Sequence, residues 1–134
     1  MRALIVEDDL TSRRMLLMML AQHAQCDVAL DGAEALEAFD AAWAEGEPYN
    51  LILLDIMMPR MDGQVLLKKI RAREAERGVE PDRAARVIMT TALDDRENII
   101  EAFRSQCEAY LVKPIDKEAL LEQVRSLGLL PPAR

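Results

Sequence analysis

Residues 51–63 read LILLDIMMPRMDG, and this stretch decides the fold. Four apolar residues are followed at once by a carboxylate, Asp55, and by a loop that carries a proline and a glycine. A short apolar run bounded by turn residues is typical of a strand that is buried on both faces of a parallel sheet. The stretch therefore predicts a buried strand that delivers the carboxylate of Asp55 into an exposed loop.

The start of the chain repeats this construction. Residues 3–6 are apolar, and they run directly into Glu7, Asp8 and Asp9. If the two strands are parallel neighbours, their carboxylates converge at one edge of the sheet. Ligands of open α/β sheets bind at that edge.

Apolar runs alternate with helical patterns along the whole chain. We predict strands at residues 3–6, 27–30, 51–54, 87–90 and 109–112, each followed by a helix, at about 11–24, 32–44, 63–77, 96–106 and 117–127. Helix starts are marked at capping-box spacing by Asp31 with Glu34 and Asp94 with Glu97, and by the N-cap candidates Asp62 and Asp116. Five strand–helix units predict an α/β fold with a parallel sheet covered by helices on both faces.

Composition limits the class of protein. At 134 residues, 51% of them hydrophobic, the chain predicts one folded domain over residues 1–127 and a short C-terminal tail over 128–134, with no second domain. The balance of 24 Asp+Glu against 17 Lys+Arg argues against direct nucleic-acid binding, because nucleic-acid phosphates repel an acidic surface. No run approaches the ~20 apolar residues of a membrane-spanning helix, so we expect no membrane insertion and a cytoplasmic protein.

The two cysteines, Cys26 and Cys107, have neither the spacing of a metal site nor the density of a disulfide framework. We expect both to be small buried side chains.

The stretch from residue 71 to residue 86 carries five arginines interleaved with acids, which predicts a solvated face of mixed charge. Most of the methionines fall on apolar helix or strand positions, and we interpret them as packing residues.

The acids at the strand ends point to phosphate chemistry. Three converging carboxylates, those of Glu7, Asp8 and Asp55, need a cation to offset their charge. Mg²⁺ prefers oxygen ligands and often combines one or two carboxylates with a phosphoryl group. Thr91 and Lys113 follow two further strands and offer a hydroxyl and an ammonium to phosphoryl oxygens. A carboxylate nucleophile, a metal and a lysine together satisfy phosphoryl transfer, where positioning and charge neutralisation do most of the work.

With these residues in place, the chain resembles the receiver domain of two-component response regulators, in the single-domain form of the chemotaxis regulators. The resemblance covers nearly the whole sequence. It rests on motifs in family order and at family-like separations: Glu7-Asp8, Asp55 with the Met58-Pro59 and Asp62-Gly63 loop, Thr91-Ala92 and Lys113-Pro114. It implies a flavodoxin-like, doubly wound, three-layer sandwich whose five strands follow the order 2-1-3-4-5.

The resemblance also implies a role for each site residue. Asp55 would accept the phosphoryl group, while Thr91, Ala92 and Lys113 would bind it. Mg²⁺, with Mn²⁺ as an alternative, would be held by Glu7 through a metal-bound water, by Asp8 and Asp55, and by the backbone carbonyl of Met57. Lys113-Pro114 would be a cis peptide, and Thr91 and Tyr110 would form the switch pair.

We therefore expect a phosphoprotein of a two-component, phosphorelay signalling system. A histidine kinase or a histidine phosphotransfer protein would phosphorylate Asp55. A protein-binding face, the switch surface, would then signal to a downstream protein. The same surface could also form a homodimer. The chain would not be an enzyme beyond catalysing its own Mg²⁺-dependent phosphorylation and dephosphorylation. Two alternatives stay open: a phosphorylation-independent adaptor, and a phosphohydrolase with an aspartate nucleophile, which resembles such domains but carries its nucleophile on the first strand.

Two departures from the family pattern have consequences. Where the family often has Ala-Gly-Ala-Asp-Gly-Tyr before the last strand, this chain reads SQCEAY at 105–110, so the fourth helix must end without the usual left-handed glycine. Met57 and Leu93 are apolar at family positions that govern access of water to the phosphoryl group. We expect slow loss of phosphate.

Overall fold

Strands and helices alternate along the chain in the computed structural model, which describes residues 1–58, 60–91 and 96–132 apart from the side chains of Arg96 and Asn98. The strands within these ranges are β1 (Arg2–Val6), β2 (Gln25–Ala29), β3 (Leu51–Asp55), β4 (Arg86–Thr91) and β5 (Ala109–Val112). The helices are α1 (Leu10–Leu20), α2 (Gly32–Ala44), α3 (Gly63–Glu76), α4 (Arg96–Arg104) and α5 (Lys117–Ser126). The predicted cap Asp94 and the site positions Ala92 and Leu93 lie outside the described residues.

The described strands form one parallel sheet in the order β2-β1-β3-β4-β5. The predicted fold class and strand order are therefore confirmed. The strand order reverses between β1 and β3, where Val6 is in register with Leu54. In doubly wound sheets the ligand crevice lies at this switch point, outside the carboxyl ends of the strands.

Side chains at alternate positions of the central strands pack into two hydrophobic cores, one on each face of the sheet. Leu4, Ile52 and Leu54 belong to a cluster with side chains from α2, α3 and α4. Ile5 and Leu53 belong to a second cluster with side chains from α1 and α5. The four apolar residues of β3 are buried, as their unbroken run predicts. Asp55 also belongs to the strand and is buried, instead of lying in an exposed loop as predicted.

Most of the predicted elements are observed within a few residues of the expected bounds, and α2 and β5 match residue for residue. The first helix is the main exception, since it ends at Leu20 and residues 21–23 form a turn. The turn closes because the backbone N–H groups of His23 and Ala24 both donate to the Leu20 carbonyl. Strand β2 starts two residues early at Gln25, which pairs with Arg2 of β1.

Aspartates cap four of the described helices at their N-termini. Asp31, Asp62 and Asp116 each accept a hydrogen bond from a backbone N–H three residues ahead, as predicted. Asp9 caps α1 in the same way, accepting from the N–H of Ser12 at 2.8 Å. The hydrogen bonds from Ser12 lower the pKa of Asp9.

The prediction that the methionines serve packing needs correction. The methionines of α1 are not all packing residues, because Met15 is 44% exposed and Met18 is 77% exposed. In the C-terminal stretch predicted to be a short tail, Leu129 and Leu130 pack against the core cluster under α1 and α5. Cys26 and Cys107 are free thiols, in keeping with their places on and beside opposite edge strands. Within the described ranges, no helix is both long enough and apolar enough to cross a membrane.

Candidate functional site

The carboxyl ends of β1 and β3 bring three carboxylates together. One oxygen from each of Glu7, Asp8 and Asp55 lies within 4.8 Å of the others. Glu7 and Asp55 are buried, with exposed fractions of 1% and 3%, whereas Asp8 is exposed. Two buried carboxylates at this separation repel each other unless a cation or a proton offsets their charge.

Lys113 supplies part of that compensating charge. Its Nζ atom donates to Glu7 Oε1 in a very short contact and to Asp55 Oδ2 at 3.3 Å. Burial disfavours the charged form of Lys113, but the hydrogen bonds and charges of Glu7 and Asp55 outweigh that effect and raise the pKa of the ammonium. Lys113 is therefore protonated across the physiological range. The peptide bond between Lys113 and Pro114 is cis.

The loop after Asp55 is held by backbone contacts. The N–H of Met57 donates to Asp55 Oδ1 at 3.1 Å, and the N–H of Gly63 donates to the Ile56 carbonyl at 2.9 Å. A Cβ atom on Gly63 would lie 2.3 Å from the carbonyl oxygen of Asp55. Only glycine allows α3 to begin this close to the end of β3, because any side chain would collide with the backbone there.

Two further predicted site residues, Thr91 and Tyr110, lie on β4 and β5. Thr91 ends β4 and is buried, and its carbonyl accepts a hydrogen bond from the Lys113 N–H at 2.7 Å. Tyr110 is half-buried and meets Phe103 of α4 edge to face, with ring centroids 5.9 Å apart. The predicted switch pair is thus placed on neighbouring strands. Ala92, the third predicted phosphoryl contact, lies outside the described residues.

One residue at the site was missed by the sequence analysis. Arg13, in the first turn of α1, donates from Nη1 to the carbonyl oxygens of Glu7 at 3.2 Å and Asp8 at 3.4 Å. In the sequence it appeared only as half of an Arg13-Arg14 pair ahead of an apolar run. Its position one turn after the cap Asp9 is the signal that was available, because helical side chains lean back toward the N-terminus.

The donor set fits a hard divalent cation. Every side-chain ligand offered is a carboxylate oxygen, and the exposed Asp8 leaves the site open to solvent. Mg²⁺ keeps several waters and takes one or two protein carboxylates, so it suits a site that is open on one side.

A parallel α/β sheet whose carboxyl edge combines acids with a lysine is typical of domains that handle phosphoryl groups. The comparison with known families makes the assignment specific. The pattern of the response regulator receiver domain matches residues 3–125, so the chain belongs to this family.

Individual relatives agree with this assignment. The chain is 30% identical over 128 residues to the chemotaxis protein CheY of Treponema pallidum, an alignment that covers 94% of this chain and 81% of that protein. It is 35% identical over 127 residues to the response regulator PleD of Caulobacter vibrioides, covering 94% of this chain but only 26% of PleD. The chain thus spans about a quarter of that relative.

Solved structures show the same fold. One match belongs to the co-crystal structure of the Saccharomyces cerevisiae histidine phosphotransfer signaling protein Ypd1 with the receiver domain of its downstream response regulator Ssk1. The TM-score is 0.81 at 28% identity, and the match covers 96% of this chain and 88% of that one. The chain is therefore a receiver domain, homologous to response regulators and to CheY.

Proposed function

We propose that Asp55 is the phosphoryl acceptor of this receiver domain. The observation that carries the proposal is the placement of the Asp55 carboxylate. It ends β3, is 3% exposed, receives Lys113 Nζ on Oδ2 and receives the Met57 N–H on Oδ1. Both donors point at the oxygens of the carboxylate, the group that acts as nucleophile in this proposal.

The donor in this proposal is a phosphohistidine on a histidine kinase or a histidine phosphotransfer protein. A carboxylate oxygen of Asp55 attacks phosphorus, so that an O–P bond forms while the N–P bond of the donor breaks. The electron pair of that bond stays on the histidine nitrogen, which takes up a proton. Hydrolysis later transfers the phosphoryl group to water, which releases inorganic phosphate and restores Asp55.

Mg²⁺, or Mn²⁺ in its place, would be held by Glu7, Asp8, Asp55 and the carbonyl of Met57. When bound, the ion neutralises charge that develops on the transferring phosphoryl oxygens. Lys113 lies between Glu7 and Asp55, so its ammonium is already within reach of the phosphoryl group that Asp55 would carry. Thr91, at the end of the neighbouring strand, would supply a hydroxyl to the same group.

Signalling then follows a change at the face formed by α4, β5 and α5, with Thr91 and Tyr110 as the switch pair. Support comes from the edge-to-face contact of Tyr110 with Phe103, which links β5 to α4. Ile100 and Phe103 are 44% and 45% exposed on α4 and are available to a downstream protein or to a second copy of the chain. We place the receiver at residues 1–127 in the cytoplasm, with no activity beyond its own phosphorylation and dephosphorylation.

The first experiment is incubation with acetyl phosphate and Mg²⁺, followed by intact mass measurement. We expect a gain of one phosphoryl group that disappears in Asp55→Asn and with EDTA. If no phosphoryl group is gained, the test is repeated with a phosphorylated histidine phosphotransfer protein as donor. A second negative result would overturn the proposal in favour of the adaptor alternative, whose partner affinity would be unchanged in Asp55→Asn. Turnover of p-nitrophenyl phosphate would instead favour the phosphohydrolase.

A further inference from the structure

Arg13 occupies an unfavourable position for a cation. It lies in the first turn of α1, where the helix dipole presents partial positive charge and favours anions. Its side chain is nevertheless half-buried rather than extended into solvent. A cation held against the dipole in this way requires contacts that compensate.

The contacts that compensate lie on the loop of the acidic cluster. Arg13 Nη1 donates to the carbonyl oxygen of Glu7 and, over a longer distance, to that of Asp8. One guanidinium nitrogen therefore ties together the backbone of two of the three acids.

The carboxylate of Asp8 depends on this tie more than its neighbours do. Glu7 is fixed through its side chain, since Oε1 meets Lys113 and Oε2 accepts from the Asp9 N–H at 3.1 Å. Asp55 is fixed by Lys113 and by the Met57 N–H. Among the described residues, no hydrogen bond reaches the Asp8 carboxylate, so only the backbone conformation of residue 8 aims it at the other two acids.

We propose that Arg13 is a positioning residue for the divalent cation, acting by fixing the backbone of Glu7 and Asp8 so that the Asp8 carboxylate faces the site. This inference rests on the proposed function, because it presumes that the acidic cluster binds Mg²⁺. Residues that orient metal ligands without touching the metal commonly change its affinity by about 10- to 100-fold when they are removed.

The charge of Arg13 should affect Mg²⁺ affinity in the opposite direction from its positioning role, and this makes the proposal testable. A guanidinium next to a cation site repels the cation, so a purely electrostatic role predicts that removal of Arg13 tightens Mg²⁺ binding. A positioning role predicts that removal weakens binding, because Asp8 is no longer aimed. The direction of the change in Kd therefore decides between the two.

Arg14 provides a matched control. It is the next residue of the same helix turn and carries the same charge, but it is exposed, and among the described residues it makes no hydrogen bond. Arg14→Gln therefore removes one positive charge near the N-terminus of α1 without touching the loop. Arg13→Lys keeps the charge and removes the planar guanidinium that reaches both carbonyl oxygens.

The experiment is a Mg²⁺ titration of the unphosphorylated protein, followed by the backbone amide resonances of residues 7–10 and 57 in ¹H–¹⁵N spectra. We expect Arg13→Gln to raise the Kd by about tenfold, Arg13→Lys to raise it by less, and Arg14→Gln to lower it slightly. In EDTA, Arg13→Gln should shift the amides of residues 7–10 more than Arg14→Gln does, which shows the loop displacement without any metal.

Each result separates this inference from the proposed function. If wild type binds Mg²⁺ and Arg13→Gln binds it as tightly as, or more tightly than, Arg14→Gln, the positioning role is overturned while the cation site stands. If wild type binds no Mg²⁺, the cation site itself is overturned. Circular dichroism of each variant in EDTA confirms that the fold is retained.

Discussion

Arg71 of α3 donates two hydrogen bonds to the carbonyl oxygen of Gln106, from Nε at 3.0 Å and from Nη2 at 2.7 Å. Gln106 has a φ of 71°, in the left-handed region, and it ends the turn that follows α4. The Cys107 N–H returns to the Ala102 carbonyl at 3.0 Å, as in a glycine-terminated helix. Arg71 thus holds the helix end in a conformation that the family usually assigns to glycine.

The same guanidinium joins four segments of the chain. It donates to Glu74 on its own helix, to the Ala85 carbonyl before β4 and to both carboxylate oxygens of Glu108 before β5. The side chains of Arg71 and Glu74 are only 11% and 6% exposed. The prediction that the charges of residues 71–86 form a solvated face is therefore wrong at Arg71 and Glu74.

Removal of Arg71 should destabilise the fold severely. Arg71→Ala would leave the buried Glu74 and the half-buried Glu108 without their cation, and breaking a buried pair in this way costs about 3–5 kcal/mol. Lys68→Ala on the same helix is the matched control, because the Lys68–Glu101 pair is exposed and should contribute less than about 1 kcal/mol. Urea unfolding measures both values. Equal losses in the two variants would contradict a structural role for the buried pair.

Gln106→Gly should stabilise the protein. The left-handed conformation costs a non-glycine residue about 1–2 kcal/mol, part of which is offset by the greater freedom of glycine in the unfolded chain, so we expect a gain of about 0.5–1 kcal/mol. The carbonyl that Arg71 binds is retained. Ser105→Gly, one residue earlier and without a positive φ, should lower the unfolding free energy instead. A loss of stability in Gln106→Gly would show that its side chain contributes more than its backbone strain.

Sequence reasoning succeeded where an interaction is local or follows from strand order. Asp55 and the Glu7-Asp8 pair could be placed because each ends an apolar run, and parallel strands bring such ends to one edge. Asp62 could be recognised as a cap from its position before an amphipathic segment. The missing glycine at residue 106 marked a helix end that required another solution, although nothing in the sequence identified that solution as Arg71.

Gly63→Ala should disturb the acceptor loop. The new Cβ would meet the Asp55 carbonyl oxygen at 2.3 Å and the Ile56 Cα at 2.9 Å, so the backbone beside the acceptor must shift. Overpacking of this kind costs about 1–3 kcal/mol, and we expect slower phosphorylation by acetyl phosphate as well. The control is Gly78→Ala, where φ is 67° and nothing lies within 4 Å of the added atom. That variant should lose stability through backbone strain alone and keep the wild-type rate of phosphorylation.

The two cysteines should differ in reactivity. Cys107 is 6% exposed, and burial raises the pKa of its thiol to about 11, whereas Cys26 is half-buried at an edge strand. The thiolate is the reactive form, so a thiol-specific reagent at pH 8 should label Cys26 first and Cys107 only on unfolding. Mass spectrometry after timed labelling measures this order. Equal labelling rates in the native protein would contradict it.

The Cys107 thiol also predicts a pH dependence of stability. Its folded pKa of about 11 lies above the value of 9.0 for an unperturbed thiol, so the unfolded chain loses its proton first as pH rises. The contribution to stability is therefore complete below about pH 9 and is lost between about pH 9 and pH 11. Cys107→Ala should flatten the unfolding free energy over this window, relative to wild type. The same pH series on Cys26→Ala provides the comparison for the unfolding free energy of Cys107→Ala.

What sequence could not supply were contacts that depend on which way a helix faces. Arg71 reaches the carbonyl oxygens of Ala85 and Gln106 on other segments, and no spacing rule specifies such a contact. The exposure of Met15 and Met18 was missed for the same reason, since an apolar run predicts a helix but does not say how much of it the sheet covers. Long-range packing decided each of these outcomes.

Met57→Asn should accelerate loss of the phosphoryl group. The Met57 side chain is 56% exposed, and its backbone N–H contacts Asp55 Oδ1, so we expect the side chain to lie beside the path by which water approaches the phosphorus. An apolar group there hinders that approach, whereas an amide can hydrogen-bond and orient the attacking water. We expect the first-order rate of dephosphorylation to rise by roughly tenfold, which is about 1.4 kcal/mol of activation free energy. The measurement is the loss of the phosphorylated mass after the donor is removed. Met61→Asn in the same loop is the control. An unchanged rate in Met57→Asn would show that water reaches the phosphorus by another route.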